Sequence, residues 1–322
     1  MLQDLHGRRF HYLRLSITDV CNFRCNYCLP DGYQCDSDRD FLSLSDIQTI
    51  VKAFAGLGTS KVRITGGEPS LRKDLPEIIS SLKAIPGIEK VVITTNGYRF
   101  PDVINTWKEM GIDGINVSID SLDPKVFAAI TGADKLKSIL RGIERAADLD
   151  IPVKVNSVLM NGFTHNALSA FKHWLKGTNV TLRFIELMET GQSHLFFKKH
   201  HLSGESIKQQ LLAEGWTRVI RKKSAGPAQE FQHPDYQGRI GLIMPYSKDF
   251  CNSCNRLRIS STGKLHLCLF AEQGLDLRAD IATGEHLRVQ EKLQAMLQDK
   301  EVSHWLQDGK TGATKNLAML GG

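Results

Sequence analysis

The sequence predicts an α/β protein: a partial (β/α)6 barrel of the TIM type, followed by a smaller C-terminal α+β region. Three observations predict it. From Tyr12 to Glu186 short apolar runs alternate with segments of helical spacing, as in successive βα units. After about Glu189 that rhythm gives way to one helical segment and several strand-like runs. The turn after the first strand carries cysteines, and parallel barrels place their sites at that end of the strands. Strands are expected at 12–17, 61–65, 91–95, 114–119, 153–158 and 181–186. Between the first two, Ile47, Ile50, Val51, Phe54 and Leu57 recur at helical spacing behind Ser45 as the expected N-cap, and Gly58 ends the run. Comparable helices fit 76–84, 101–110, 136–149 and 165–175, which would cover the outer face of the sheet. The later region offers a helix at 203–214, strand-like runs at 216–221, 229–233 and 239–244, and an amphipathic helix at 285–297. A polar tail ends in Gly321-Gly322. The expected division is 1–200 and 201–322, with no low-complexity tract or internal repeat.

Composition narrows the class. The chain of 322 residues has 41 Lys and Arg against 35 Asp and Glu, a net charge of +6, which suits an anionic ligand without demanding nucleic acid. Asp4, Arg8, Arg9, Arg14 and Asp19 interrupt any signal-peptide core, and no later stretch is long and apolar enough to span a bilayer, so a cytoplasmic protein without a membrane partner is expected. Six of the seven cysteines fall into two tight groups, Cys21/Cys25/Cys28 and Cys251/Cys254/Cys268. Without an export signal, such grouping favours metal over disulfides. Cys35 is left over and receives no role.

Cys21-x3-Cys25-x2-Cys28 brings three thiolates together in the loop after the first strand. Three cysteines can hold three irons of a 4Fe-4S cluster and leave the fourth iron open to a small molecule. A three-cysteine zinc site is the alternative, but zinc gives no reason for Tyr27 immediately before the third cysteine. Cys21-Asn22-Phe23-Arg24-Cys25-Asn26-Tyr27-Cys28 resembles the signature of the radical S-adenosylmethionine (SAM) enzymes. The resemblance implies an open iron that chelates SAM, reductive cleavage to methionine and a 5′-deoxyadenosyl radical, and hydrogen abstraction from a substrate. It also implies that Gly66-Gly67-Glu68-Pro69, after the second strand, holds the SAM amino group; alone, that segment reads equally as a tight strand-to-helix turn.

Cys251-x2-Cys254-x13-Cys268 is a second metal signal, and zinc could be completed there by His266, two residues before Cys268 on the same strand face. This segment, with Asn255-Arg256-Leu257-Arg258, is similar to the GTP 3′,8-cyclase family. In that family three cysteines at this spacing hold a second 4Fe-4S cluster whose open iron contacts the substrate purine.

Strand alternation supplies an independent argument, because Arg14, Arg63, Lys154 and Arg183 each oppose apolar neighbours and would point into the lumen. Enclosed cations need anions, since desolvating each unpaired charge costs several kcal/mol. Glu68, Asp120 and Glu186 are candidate internal partners; a triphosphate, gripped by forked arginine donors, is the sharper alternative. The family resemblance assigns Arg14, Arg63, Thr94, Lys154, Arg256 and Arg258 to GTP, with Arg183 as a further candidate, and Tyr27, Gly67, Ser118 and Met188 to SAM. It also directs the Gly321-Gly322 tail toward the active site, where residues without side chains could thread a narrow channel.

The implied reaction is conversion of GTP to (8S)-3′,8-cyclo-7,8-dihydroguanosine 5′-triphosphate, the first step of molybdenum cofactor biosynthesis, a lyase activity. The implied cofactors are two 4Fe-4S clusters and SAM. The expected partners are GTP, an electron donor such as flavodoxin or ferredoxin, and a downstream cyclic pyranopterin monophosphate synthase, with no nucleic acid and a homodimer among the assemblies to test. Two rivals stand beside this reading. A peptide-modifying radical SAM enzyme would need a peptide groove in place of inward cations. A zinc-stabilised RNA-binding protein would use the +6 charge for phosphate contacts but leaves the inward cations without a purpose.

Overall fold

A computed structural model describes residues 1–322 except 35–39, 163, 192, 221–225, 313, 315–316 and 321–322. Cys35, Gly321 and Gly322 therefore lie outside the described residues.

The chain runs β1 (Tyr12–Ser16), α1 (Leu44–Gly56), β2 (Lys61–Thr65), α2 (Leu75–Lys83), β3 (Lys90–Thr95), α3 (Phe100–Glu109), β4 (Gly114–Ser118), α4 (Pro124–Thr131), α5 (Leu136–Asp148), β5 (Val153–Leu159), α6 (Thr164–Gly177) and β6 (Thr181–Glu186). It continues through α7 (His194–His200), α8 (Gly204–Ala213), β7 (Thr217–Arg218), β8 (Gln229–Gln232), β9 (Arg239–Ile243), β10 (Arg256–Ile259), β11 (Lys264–His266), β12 (Leu275–Asp276), α9 (Arg278–Ala282) and α10 (His286–Met296). The six expected barrel strands form within a residue or so of their expected limits, because their β-branched and aliphatic runs are bounded by glycine and polar turns on both sides. The first crossover helix is capped by Ser43 rather than Ser45. Ser43 accepts from the Asp46 amide while the Asp46 carboxylate accepts from the Ser43 amide, a reciprocal capping box that starts the helix two residues earlier.

Strands β1 to β6 lie side by side and parallel. The later strands extend both edges of this sheet. β10 pairs parallel with β1, placing Tyr12 beside Arg256 and Arg14 beside Arg258. β9 pairs parallel with β6, placing Arg183 beside Gly241. Antiparallel β11 and β12 finish one side, and β8 and β7 the other, giving twelve strands in one sheet among the described residues. The main core lies between the outer sheet face and the helices, built on Leu13, Leu15, Val62, Ile64, Ile93, Val117, Val155 and Phe184 against Ile47, Phe54, Ile78, Ile104, Ile139 and Phe171, all essentially inaccessible. Putting the aliphatic residues on that face leaves the alternate residues for the lumen. No helix among the described residues is long and apolar enough to cross a membrane.

Candidate active site

The first cysteine loop is held by what the strands beneath it offer. Gly67 N–H donates to Thr18 O (3.0 Å) and Glu68 N–H to Val20 O (2.7 Å), so the segment after β2 runs edge to edge with residues 18–20. Only glycine fits there. A Cβ on Gly66, which has φ 149°, would stand 2.1 Å from Thr18 O, and one on Gly67 would stand 2.3 Å from Val20 O. Glu68 is fully buried beneath this contact. Its carboxylate accepts from the amides of Ser70 (2.9 Å) and Asn96 (2.6 Å) and from the Thr95 hydroxyl (2.8 Å), tying the ends of β2 and β3 together. Further along the loop, Arg24 and Asn26 amides donate to Thr131 O and Ile130 O at the end of α4, and Phe23 packs edge-on against Tyr98 and Phe127.

Cys21, Cys25 and Cys28 are free and half-buried. Asn96 Nδ2 points at Cys21 Sγ from 3.9 Å. Tyr27 donates its hydroxyl to Asp120 Oδ2 (2.9 Å), whose Oδ1 accepts from the Val158 amide (2.8 Å). Burial raises the pKa of Tyr27 well above the usual phenol value, assisted by the Asp120 charge, and so keeps it a donor. Burial likewise raises all three thiols, Cys28 to about 12, with no cation among the causes.

The barrel lumen opens into a cavity of about 480 Å³. Arg14, Arg63, Lys154, Arg183, Arg256, Arg258 and Met188 line it, with Cys251, Cys254 and Cys268 at one side. Thr94, Ser118, Tyr27, Gly67 and the first cysteine group do not border it. Thr94 accepts a hydrogen bond from Asn116 at 3.3 Å, and Ser118 ends β4, both half-buried. Met188 packs with Cys28, Cys268, Tyr246 and the tail residues Leu317 and Leu320 in a second apolar cluster that joins the two cysteine groups. The tail is anchored there by Arg258, which donates to Leu320 O (3.1 Å).

None of the three carboxylates expected as internal partners faces the cations. Glu68 and Asp120 are engaged as described, and Glu186 accepts from the Gly204 amide at 2.7 Å. The acidic residues that do line the cavity are Asp113, held by Lys83, and Glu230, 3.3 Å from Lys154. Positive charge prevails. Burial, then repulsion from Arg63, lowers the pKa of Arg183 to about 9; burial, then Arg256, lowers Arg258 to about 10; and burial, then Arg258, lowers Arg14 well below its ordinary value. A guanidinium keeps its proton in proteins, so the cluster is relieved by an anion and not by deprotonation.

Several lining residues escaped the sequence reading. Tyr12 and Lys61 share the faces of Arg14 and Arg63 by the same period-two rule. The Tyr12 ring lies 4.9 Å from the Lys61 ammonium and 5.3 Å from the Arg63 guanidinium. Asn116 accepts from Arg183 at 2.9 Å. Alternation extended one step toward each strand's start would have found Tyr12 and Lys61.

The second cysteine group is also free. The Ser303 hydroxyl faces Cys251 Sγ at 3.9 Å. Burial raises Cys251, whereas the charges of Arg256, Lys300 and Arg8 overcome burial and bring Cys254 down to about 7. Both sets fit a polynuclear cluster by their chemistry: three unpaired thiols each, with side-chain N–H or O–H donors aimed at sulfur. No three His, Cys, Asp or Glu side chains among the described residues gather tightly enough for one metal ion.

Comparison with known proteins adds to this geometry. A profile of the Radical SAM superfamily matches residues 15–175, and one described as Molybdenum Cofactor Synthesis C matches 180–306. The chain is 55% identical to a GTP 3′,8-cyclase of Vibrio parahaemolyticus, covering 99% of this chain and 97% of the relative. It is 51% identical to a GTP 3′,8-cyclase of Cronobacter sakazakii, covering 100% and 99%. In fold it resembles Streptococcus suis SuiB bound to S-adenosylmethionine (TM-score 0.58, 13% identity, 97% of this chain and 73% of that one). It also resembles anSMEcpe with bound AdoMet and a Cp18Cys peptide (TM-score 0.56, 14% identity, 89% and 83%).

Proposed function

Because the chain belongs to the GTP 3′,8-cyclase family, within the radical SAM superfamily, we propose that its cationic cavity holds GTP for cyclisation between the ribose 3′ carbon and guanine C8. The observation that carries this reading is the surplus of buried guanidinium and ammonium groups around a 480 Å³ space whose acidic lining is Asp113 and Glu230. Arg14, Arg63, Lys154 and Arg183 suit the triphosphate, the arginines through paired donors and the lysine as a point charge. Arg256 and Arg258, on β10 next to the second cysteine group, suit the nucleoside end; Thr94, expected there too, lies behind the lining residue Asn116, which donates to it. The division into 1–200 and 201–322 follows the same reading: the first unit makes the radical and grips the triphosphate, and the second brings Arg256, Arg258 and the second cysteine group to the nucleoside end.

Cys21, Cys25 and Cys28 would hold one 4Fe-4S cluster and Cys251, Cys254 and Cys268 the other. Tyr27, Gly67, Ser118 and Met188 would surround SAM. Together these groups, once bound and given an electron by the external donor, would supply the one-electron chemistry needed to abstract hydrogen from the ribose 3′ carbon. The protein's own part is positional. Asp120 fixes the Tyr27 hydroxyl, Glu68 fixes the loop above it, and the apolar cluster around Met188 keeps water from the space between the cysteine groups. The homologues argue against the peptide-modifying and RNA-binding rivals, neither of which predicts the lumen charge. A cytoplasmic setting, a flavodoxin or ferredoxin donor, a downstream cyclic pyranopterin monophosphate synthase and a homodimer belong to the same proposal.

Anaerobic reconstitution with iron and sulfide, followed by SAM, dithionite and each nucleoside triphosphate in turn, tests the proposal. GTP alone should yield 5′-deoxyadenosine together with a cyclised nucleotide. Deoxyadenosine without nucleotide conversion would reject the substrate, and none with any triphosphate would reject the whole reading.

A further inference from the structure

Behind the second cysteine group lies a buried charge that the cyclase reaction does not account for. Lys300 is only 5% exposed. It follows the short 3-10 turn Leu297–Asp299 at the end of α10. Its Nζ donates to the carbonyl of Leu267, the residue preceding Cys268, and lies 5.5 Å from the Phe10 ring. Among the described residues it makes no salt bridge.

Nearby Arg8 shows the contrast. It is 8% exposed, but Asp4 neutralises it at 2.6 Å, and its remaining donors reach Glu301 O (2.6 Å), Val302 O (2.8 Å) and Cys251 O (3.4 Å). Arg8 thus stitches residues 301–302 and the Cys251 turn to the N-terminal segment. Two residues on, the Ser303 hydroxyl faces Cys251 Sγ at 3.9 Å, and His304 is fixed by Pro245 O at 2.9 Å. Residues 300–304 therefore form the rear wall of the second triad, and the wall contains an ammonium without a carboxylate.

An enclosed ammonium costs several kcal/mol unless an anion offsets it. The triad itself can offset it, because its sulfurs must be thiolates to hold metal, and the Leu267 carbonyl that Lys300 grips immediately precedes Cys268. We infer that Lys300 is a buried counter-charge for the second cysteine triad, a positioning residue that raises the reduction potential of the cluster held there. The inference rests on the proposed second cluster. Its physical basis is that a fixed positive charge favours the form with the additional electron, and that net charge and hydrogen bonding to sulfur set cluster potentials.

The test uses the full chain carrying Cys21→Ala, Cys25→Ala and Cys28→Ala, reconstituted anaerobically, so that only the second triad can bind iron. The readouts are iron content and the midpoint potential from an EPR-monitored titration. Lys300→Met should shift the midpoint negative, lowering the reduced-to-oxidised ratio at the parent's midpoint by roughly three- to tenfold, where tenfold is about 59 mV for one electron. Lys300→Arg should restore the parent value. Loss of iron in the Met variant with retention in the Arg variant would support the same counter-charge. An unmoved midpoint at full iron content, or loss of iron in both variants, would overturn it. A parent triad that takes up no iron-sulfur cluster would instead remove the second-cluster reading.

Discussion

The two cysteine groups offer the same ligands in opposite electrical surroundings. Around Cys21, Cys25 and Cys28 stand two buried carboxylates, Glu68 and Asp120, and neutral donors such as Asn96. Burial and then the Asp120 charge push Cys25 well above the ordinary thiol value. Around Cys251, Cys254 and Cys268 stand Arg8, Arg256, Arg258 and Lys300, and Cys254 falls to about 7. Cysteine spacing therefore says where a cluster binds, while the neighbouring charges say what it is for. The first group is set in a neutral-to-acidic niche beside the glycine segment. The second borders the cationic cavity and shares its cations.

Deleting one group at a time should separate their roles with the largest effect. Cys25→Ala should abolish 5′-deoxyadenosine formation, whereas Cys254→Ala should retain SAM cleavage but lose nucleotide conversion, both followed by chromatography of the two products. If Cys254→Ala also lost SAM cleavage completely at full iron content in the first group, the division of labour would be wrong. Next in size is Arg63→Ala, which removes a charge-assisted contact in the cavity. A charged hydrogen bond contributes about 1.5–3 kcal/mol, so GTP affinity measured by calorimetry should fall on the order of 10- to 100-fold, with SAM affinity unchanged.

Gly67→Ala acts on the first group instead. Its new Cβ would meet Val20 O at 2.3 Å and push the cysteine loop away from β2. A clash with backbone of this kind should cost about 1–3 kcal/mol, seen as a melting temperature lower by several degrees and as weakened SAM binding, with GTP affinity near the parent value. The smallest effect concerns pH. Burial lowers the Lys61 pKa to about 8 in the free protein. A bound triphosphate would raise that value, so the complex holds the proton more tightly. GTP affinity should accordingly be flat below pH 8 and fall as pH rises from about 8 toward the complexed value. Lys61→Met should flatten that decline, and a decline left unchanged in the variant would exclude Lys61 as its source.

Much of the barrel was legible because it is locally specified. Runs such as Lys61-Val62-Arg63-Ile64-Thr65 combine β-branched residues with strict alternation, so one reading gave the strand and the face on which Arg63 sits. Strands β10 and β12 were not read as strands, and β11 only through the strand face given to His266 and Cys268. They are two to four residues long and exist because β1 offers them an edge, a tertiary cause with little local signal. Helix α4 was also missed, although Asp123 before Pro124 is an N-cap signal and accepts from the amides of Lys125 and Val126. At the site, the cysteines announce themselves by spacing and the lumen cations by alternation. Lys300 announces itself by nothing, since a lysine after a polar helix reads as surface until packing against Phe10 and Leu267 encloses it.

The pairing of β1 with β10 also bears on how the chain is made. Tyr12 meets Arg256, a separation of 244 residues. At roughly 5–20 residues per second, a ribosome takes about 12–50 s to span that distance. Throughout that interval the emerging barrel has one raw edge along β1, and its first cysteine triad is complete while the second has yet to be translated. Closure of the sheet and assembly of the cationic cavity thus become one late event, timed by the last quarter of the message.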